Sequence, residues 1–478
     1  MGLNETDTRA KLIDPALYKR GWTENLIRRE ETAGAIEIVD GKPRRRARGR
    51  VDYLLRVAVN AESQPVAVAL IEAKAENLSP YHGLEQAKQY CKRFHVPFVF
   101  STNGHLFVEY DSTTGQTSQP RPLTEFPTPD ELRERYEEAR GFRLNAPLAK
   151  PLLVRYPGGE ATRRYYQDAA IRAVLEKLAR GEKRALLSLA TGAGKTFIAV
   201  QLLKKIADAG LLERALFVCD RDELRSQALA AFQSVFGADA AEVYEEPDGK
   251  NHASNARIHI ATYQTLDVDT EDGTANFLTK HYQPDYFSHI IIDECHRSAW
   301  GKWSQVLTRN PNAVQIGLTA TPRTLEITEK SKEAEADQQI TADNIRHFGE
   351  PVYEYDIAQG IEDGYLAACE IHCIDLSLDG KRETEGIVRE DLEGKTLTDA
   401  NTGERLTVAE ASARYAASDL EDKLLLPDRV AAMCQELFRR LCETGGPAQK
   451  TIIFCTRDRE ADAAYAEMIK RYPASSGM

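Results

Sequence analysis

The chain has 478 residues, 42% of them hydrophobic, which is enough for about three ordinary domains with cores of their own. A formal net charge of −12 argues against a uniformly basic nucleic-acid-coating protein, and the eight scattered cysteines fit reduced thiols in a cytoplasm rather than a disulfide framework. No run of about 18 apolar residues predicts a membrane span, and Met1–Asp7 is polar and acidic, unlike a secretion signal.

Residues 1–150 read as a first α/β domain. Leu12, Ile13, Leu17 and Tyr18 form the apolar stripe of a helix over 7–21. Strands follow at 35–39 and 51–59. The segment Lys42–Arg50 between them carries six positive charges in nine residues. It is either a solvated basic loop or a phosphate-contacting patch. Val66–Ala73 is a third apolar run, followed by a helix over 82–94 and strands at 98–101 and 106–110.

Asp52 lies near the start of one of these strands. Glu72 and Lys74 flank Ala73 at the end of the next, and strand alternation puts them on one face. Two carboxylates on neighbouring strands can share a Mg²⁺ ion, so Asp52 and Glu72 are the expected metal ligands. Lys74 is the expected catalytic lysine, placed to orient water and to stabilise charge on a phosphate. This arrangement resembles the PD-(D/E)xK nuclease superfamily, with Val51 standing where the pattern has Pro. Gln86 and Tyr90, at i and i+4 on one helical face, match the Q-x-x-x-Y helix of one branch of those nucleases. That likeness implies contact with the DNA backbone or with the active-site acids. An acid from the first helix often joins the metal in this superfamily, and Glu5 and Asp7 both stand open for that role.

Proline-bearing stretches at 118–129 and 145–157 mark a boundary near 150. A second domain, 151–365, is built around Leu189-Ala190-Thr191-Gly192-Ala193-Gly194-Lys195-Thr196. An apolar strand precedes this stretch and a helix follows it, the context a phosphate-binding loop needs. Thr191, Gly192, Ala193 and Gly194 bring backbone N–H groups to phosphate oxygens at a helix N-terminus. Lys195 reaches the β- and γ-phosphates, and the Thr196 hydroxyl helps hold Mg²⁺. Leu189 stands where the general motif has its first Gly. Downstream, the apolar strand Ile290-Ile291-Ile292 ends in Asp293-Glu294-Cys295-His296. Asp293 is the expected ligand of the Mg²⁺ of MgATP, and Glu294 the residue that orients the attacking water.

The remaining strands of this domain alternate with helices, as a parallel sheet requires. Tyr165-Tyr166-Gln167 opens a helix ahead of the phosphate loop and resembles the adenine-holding element of superfamily 2 helicases, which implies that Gln167 reads the adenine edge. Strands at 215–219 and 258–262, the Asp-Glu-Cys-His strand, and Val314–Pro322 match that superfamily's motor motifs in order. The likeness assigns Thr319 and Thr321 to coupling ATP state to the DNA path. Residues 326–344 are polar and read as a mobile excursion.

Beyond 366, a strand is expected at 370–376, irregular chain at 379–407, a helix at 429–443 and a strand at 450–455 that resembles motif IV. With Gly349-Glu350-Pro351-Val352-Tyr353-Glu354-Tyr355 and Ile361-Glu362-Asp363-Gly364-Tyr365-Leu366 in place, the whole chain resembles the R (motor and nuclease) subunit of type I restriction enzymes. The likeness implies an N-terminal PD-(D/E)xK nuclease-like domain (1–150), a RecA-like parallel-sheet motor domain that binds ATP (151–365), and an incomplete second RecA-like domain (366–478). It also implies ATP-driven translocation of double-stranded DNA, Mg²⁺-dependent cleavage, and assembly with methyltransferase and specificity subunits. Motifs V and VI and the docking region are missing from the chain, so weak hydrolysis and no translocation are expected of it. Two alternatives are a type III restriction subunit, whose nuclease usually follows the motor, and a superfamily 2 motor with a non-catalytic DNA-binding N-terminal domain.

Overall fold

The computed structural model describes residues 2–32, 36–39, 42–45, 50–156, 164–266, 276–295, 305–320, 344–367, 372, 377–378, 381–382, 387–399, 402, 404–415, 423–455 and 458–471. Thr321, His296, residues 46–49 of the basic segment, the excursion up to residue 343 and nearly all of the strand expected at 370–376 lie outside them. Residues 1–368 form one compact unit and 369–478 another.

The chain enters the first unit through a helical stretch. An α-turn at Glu5–Thr8 is capped by the Asn4 side chain, which accepts from the Asp7 N–H, so the helix starts two residues before the expected 7. It widens to a π-helical turn at Arg9–Ile13 and resumes as α-helix at Asp14–Lys19, with Pro15 in its first turn. A proline cannot donate into the preceding turn, and the wide turn relieves that demand.

Next comes a mixed sheet. Five of its seven strands, β1 (Ile27–Thr32), β2 (Arg50–Val57), β3 (Val66–Ala73), β4 (Phe98–Thr102) and β5 (Leu106–Asp111), lie side by side in that order, and the two-residue strands Gln116–Thr117 and Arg121–Pro122 pair with β5. β1–β2, β2–β3 and β4–β5 are antiparallel, whereas β3–β4 is parallel. That parallel step needs a crossover, and α1 (Leu84–Phe94) supplies it. β3 is buried at every position, which is why it reads as a continuous apolar run rather than an alternating one.

A seven-stranded sheet follows, parallel throughout its described pairings. In chain order its strands are β6 (Arg184–Leu189), β7 (Ala215–Cys219), β8 (Ala240–Glu242), β9 (Ile258–Thr262), β10 (His289–Ile292), β11 (Val314–Thr319) and β12 (Tyr353–Tyr355). In space they run β8-β9-β7-β10-β11-β6-β12. Helices α2 (Tyr165–Ala179) and α3 (Lys195–Asp208) flank β6, and a one-and-a-half-turn helix, α4 (Ile357–Glu362), follows β12. Apolar residues from both sheets and from α2 and α3 form one continuous core, while Leu186, Leu216, Val218, Ala261, Ile290 and Ile292 of the seven-stranded sheet pack in a second cluster.

In the second unit, the described residues between 387 and 426 are more ordered than expected. Two-residue and three-residue antiparallel strands enclose a small core of Ile387, Leu392, Leu397, Ala411, Tyr415, Leu424 and Leu426. Polar composition hid these strands because each is too short to show a period. The strand expected at 450–455 does not form: Ile452 is 79% and Phe454 91% exposed. An apolar run becomes a strand only beside a strand to pair with, and among the described residues it has none. No helix among the described residues is long and apolar enough to cross a membrane.

Candidate functional site

The ends of β2 and β3 build the first site. Tyr53 is opposite Ile71 in the antiparallel register, so one step further brings Asp52 and Glu72 abreast. The backbone N–H of Ala73 donates to Asp52 Oδ2 at 2.7 Å, fixing one carboxylate against the strand that carries the other. Lys74 Nζ sits 2.7 Å from Glu72 Oε1. Asp52, Glu72 and Lys74 therefore converge on one buried corner.

Burial sets the electrostatics of this corner. Glu72 is 4% exposed, and loss of water, helped by the nearby Asp52 charge, pushes its carboxyl up to about 7 against the pull of Lys74. Burial also raises Asp52, opposed by the Ala73 N–H and by Arg9. Glu72 Oε2 and the adjacent Ser101 Oγ are buried without hydrogen-bond partners, and Ser101 is paired with Glu72 in the β3–β4 register. An orphaned carboxylate oxygen beside a second carboxylate is a donor set that suits a hard divalent cation. Asp52 and Glu72 would hold it. Among the described residues no group of three or more His, Cys, Asp and Glu could hold an ion, so this pair is the candidate donor set.

Of the two first-helix acids, Glu5 approaches the corner. Its Oε2 is 4.0 Å from Lys74 Nζ, and its charge raises both Asp52 and Glu72. Asp7 pairs instead with Lys11 on the exposed side. Gln86 Nε2 donates to the Tyr90 hydroxyl at 3.3 Å within α1. The contact between α1 and the corner runs through Gly83, just before the helix. A Cβ there would lie 2.6 Å from Lys74 Cε, 2.8 Å from Ser101 Oγ and 2.9 Å from Glu72 Cγ, so only glycine allows this approach.

Sequence reasoning missed Gly83 and also missed Arg9. The Arg9 guanidinium lies 3.2 Å from Asp52 Oδ1 and 3.5 Å from Glu30 Oε1. Its place in the π-helical turn, which helical periodicity does not foresee, aims it there.

The second site lies at the end of β6. Gly192 (φ 83°) and Gly194 (φ 87°) adopt left-handed backbone that bends the strand into α3, and Gly194 is the N-cap of that helix. Thr191 and Gly192 are exposed at the loop, Thr196 is half-buried in the first turn of α3, and Ala193 is buried. Lys195 is buried, with Nζ 2.9 Å from Glu294 Oε1 and 3.4 Å from the Leu189 carbonyl. Asp293 and Glu294 follow β10, two strands away. Burial, with the neighbouring Glu294 charge, pushes Asp293 up to about 6, opposed by Lys195. Glu294 takes a left-handed φ of 51°, a costly conformation for a non-glycine residue that bends its carboxylate back onto Lys195. Thr319 is buried on β11, one residue past the β6 partner pair Leu187–Leu318 and level with Ser188.

Gln167 packs on the loop. Its Nε2 donates to the Ala193 carbonyl at 3.3 Å, beside the Tyr166 hydroxyl, which donates to the same oxygen at 2.8 Å. Its Oε1 accepts from the Arg164 N–H. The polar atoms of the Gln167 amide thus brace the loop as well as the start of α2. Lys195, Thr196, Asp293 and Glu294 gather where a nucleotide's phosphates and their Mg²⁺ would sit at a helix N-terminus.

Residues 8–127 match the family described as type I restriction enzyme R protein N terminus, and residues 160–324 match the type III restriction enzyme res subunit family. The endonuclease subunit of the Escherichia coli type I restriction enzyme EcoAI is 31% identical over 480 residues, covering 98% of this chain and 54% of that protein. The corresponding EcoKI subunit of E. coli K12 is 25% identical, covering 99% of this chain and 44% of that one. A fragment structure assigned as an HsdR subunit of a type I restriction enzyme from Vibrio vulnificus YJ016 is 27% identical. It superposes with a TM-score of 0.67 over 99% of this chain and 75% of that one. The chain spans about half the length of the curated relatives it matches.

Proposed function

Since this chain is homologous, over nearly all its length, to the endonuclease (R) subunits of type I restriction enzymes, we propose that it carries their motor and nuclease chemistry: ATP-driven translocation of double-stranded DNA and Mg²⁺-dependent endonucleolytic cleavage. The proposed setting is the cytoplasm, in complex with methyltransferase and specificity subunits. The observation that carries this reading is the convergence of Asp52, Glu72 and Lys74 on one buried corner, in the same compact unit as Lys195, Asp293 and Glu294.

Mg²⁺, when bound, supplies positive charge to the phosphate under attack at one site and to the nucleotide's phosphates at the other. At the nuclease corner, Ala73 fixes Asp52, and Glu72 holds Lys74 at 2.7 Å, where its ammonium can orient water or neutralise a phosphate oxygen. At the nucleotide site, the loop amides and Lys195 would hold the β- and γ-phosphates, and Thr196 and Asp293 would hold the ion. Glu294, once Lys195 turns to phosphate, is freed to accept a proton from water. Gln167, from its place on Ala193 of the phosphate loop, would read the adenine edge, and Thr319, level with Ser188 on the strand that leads into that loop, would couple nucleotide state to the DNA path. Thr321 would extend the same coupling.

The test is made in the full-length subunit assembled with its partners. Lys74→Ala should abolish DNA cleavage while ATP turnover continues, and Lys195→Ala should abolish both. Undiminished cleavage by Asp52→Ala and Lys74→Ala would refute the nuclease assignment and favour a motor whose first domain only binds DNA.

A further inference from the structure

The segment after β12 has no part in either reaction, yet it touches both the phosphate loop and the helix that carries Gln86 and Tyr90. At one end, Leu366 lies against the phosphate loop: a Cβ on Gly192 would come 3.2 Å from Leu366 Cδ2. Tyr365 lies beneath the Arg164 guanidinium, 4.7 Å from it to the ring centre, and 5.6 Å from the Tyr166 ring. A few residues earlier the same segment grips the nuclease helix. Arg93, near the C-terminus of α1, lies 2.7 Å from Glu362 and 3.5 Å from the fully buried Asp363. The Tyr353 hydroxyl donates to the Arg93 carbonyl at 2.6 Å. Tyr165 and Tyr355 both donate to Asp363 Oδ2, and Tyr165 stacks on Phe94 with ring centres 4.6 Å apart.

The two ends of α1 therefore have different masters. The N-terminal end, through Gly83, is pressed on Lys74 and Glu72. The C-terminal end is held by Asp363, Glu362 and Tyr165, whose chain neighbours Leu366, Tyr365, Tyr166 and Gln167 rest on or beside the phosphate loop. A short helix is stiff over this length, so a shift at one end is passed to the other. We propose that Arg93 is a positioning residue that makes the seat of the Gln86–Tyr90 helix on the nuclease corner depend on what fills the phosphate loop. This rests on reading that loop as a nucleotide site. By linkage, nucleotide and nuclease ligands then favour or disfavour one another.

Hydrogen exchange of the 478-residue chain, with and without the non-hydrolysable ATP analogue AMP-PNP and Mg²⁺, tests this. In the wild type, exchange should change by about fivefold or more in 164–196 and also in 84–94. Arg93→Ala should keep the response in 164–196 and lose it in 84–94, and Arg93→Lys, which keeps the charge beside Glu362, should restore part of it. Glu362→Gln, a half-exposed change that spares the fold, should weaken it. A wild type whose 84–94 exchange ignores nucleotide while 164–196 responds overturns the proposal, as does an Arg93→Ala variant in which both still respond. Silence in 164–196 as well would instead sink the nucleotide reading on which it rests.

Discussion

Glu72 should make the protein less stable as pH rises, and its replacement by Gln should remove that cost. The carboxyl stands at about 7 in the folded protein against an ordinary 4.5, because it is buried beside Asp52. A group with a raised folded pKa costs nothing below its unfolded pKa, and the cost grows until pH passes the folded value. The span of about 2.5 pKa units, at about 1.4 kcal/mol each, gives a penalty of roughly 3 kcal/mol at pH 8 and under about 1 kcal/mol at pH 5. Gln mimics the protonated acid, so Glu72→Gln should be about equal to the wild type at pH 5 and more stable by roughly 3 kcal/mol at pH 8. Urea unfolding in EDTA at the two pH values measures this. The same substitution should abolish Mn²⁺ binding at the corner, because stability and ligand chemistry oppose each other at this residue. A difference between the two proteins that is the same at both pH values, or a Gln variant less stable at pH 8, would refute the reasoning.

Gly83→Ala should push its methyl into Lys74 and Glu72 and cost about 1–3 kcal/mol of stability by thermal unfolding, with cleavage falling further than stability accounts for. Lys195→Ala should weaken ATP binding by about tenfold or more in calorimetry, since the loop loses its cation and Glu294 loses its ion pair with Lys195. Glu5→Gln should lower Mn²⁺ affinity by about tenfold, whereas Asp7→Asn, which faces Lys11, should leave it within about twofold. Metal binding should also fall about tenfold per pH unit below 7, because a proton competes for Glu72, and Mn²⁺ titration at pH 6 and 8 reads this directly.

Much of this protein is written in short spacings. The strand–loop–helix of 184–208, the acidic strand end at 293–294 and the Glu72-Ala73-Lys74 alternation are local, and each dictates its own geometry through backbone periodicity. The order of strands and helices sufficed to foretell a parallel sheet, and the apolar runs foretold most of its members. The expected strand at 450–455 shows the limit of that logic. Apolar composition proposes a strand, but only a neighbour's hydrogen bonds make one.

Tertiary structure alone decided how the local pieces serve one another. Nothing in sequence spacing brings Arg9 to Asp52, Gly83 to Lys74, or Arg93 to Asp363, 270 positions later in the chain. It alone chose Glu5 over Asp7 as the acid nearest the nuclease corner, because two residues of helical phase, about 200° at 3.6 residues per turn, turn the two carboxylates to opposite sides. Periodicity fixes which face of an element is apolar, but which partner that face meets is settled by packing, and packing joins residues that chain order keeps apart.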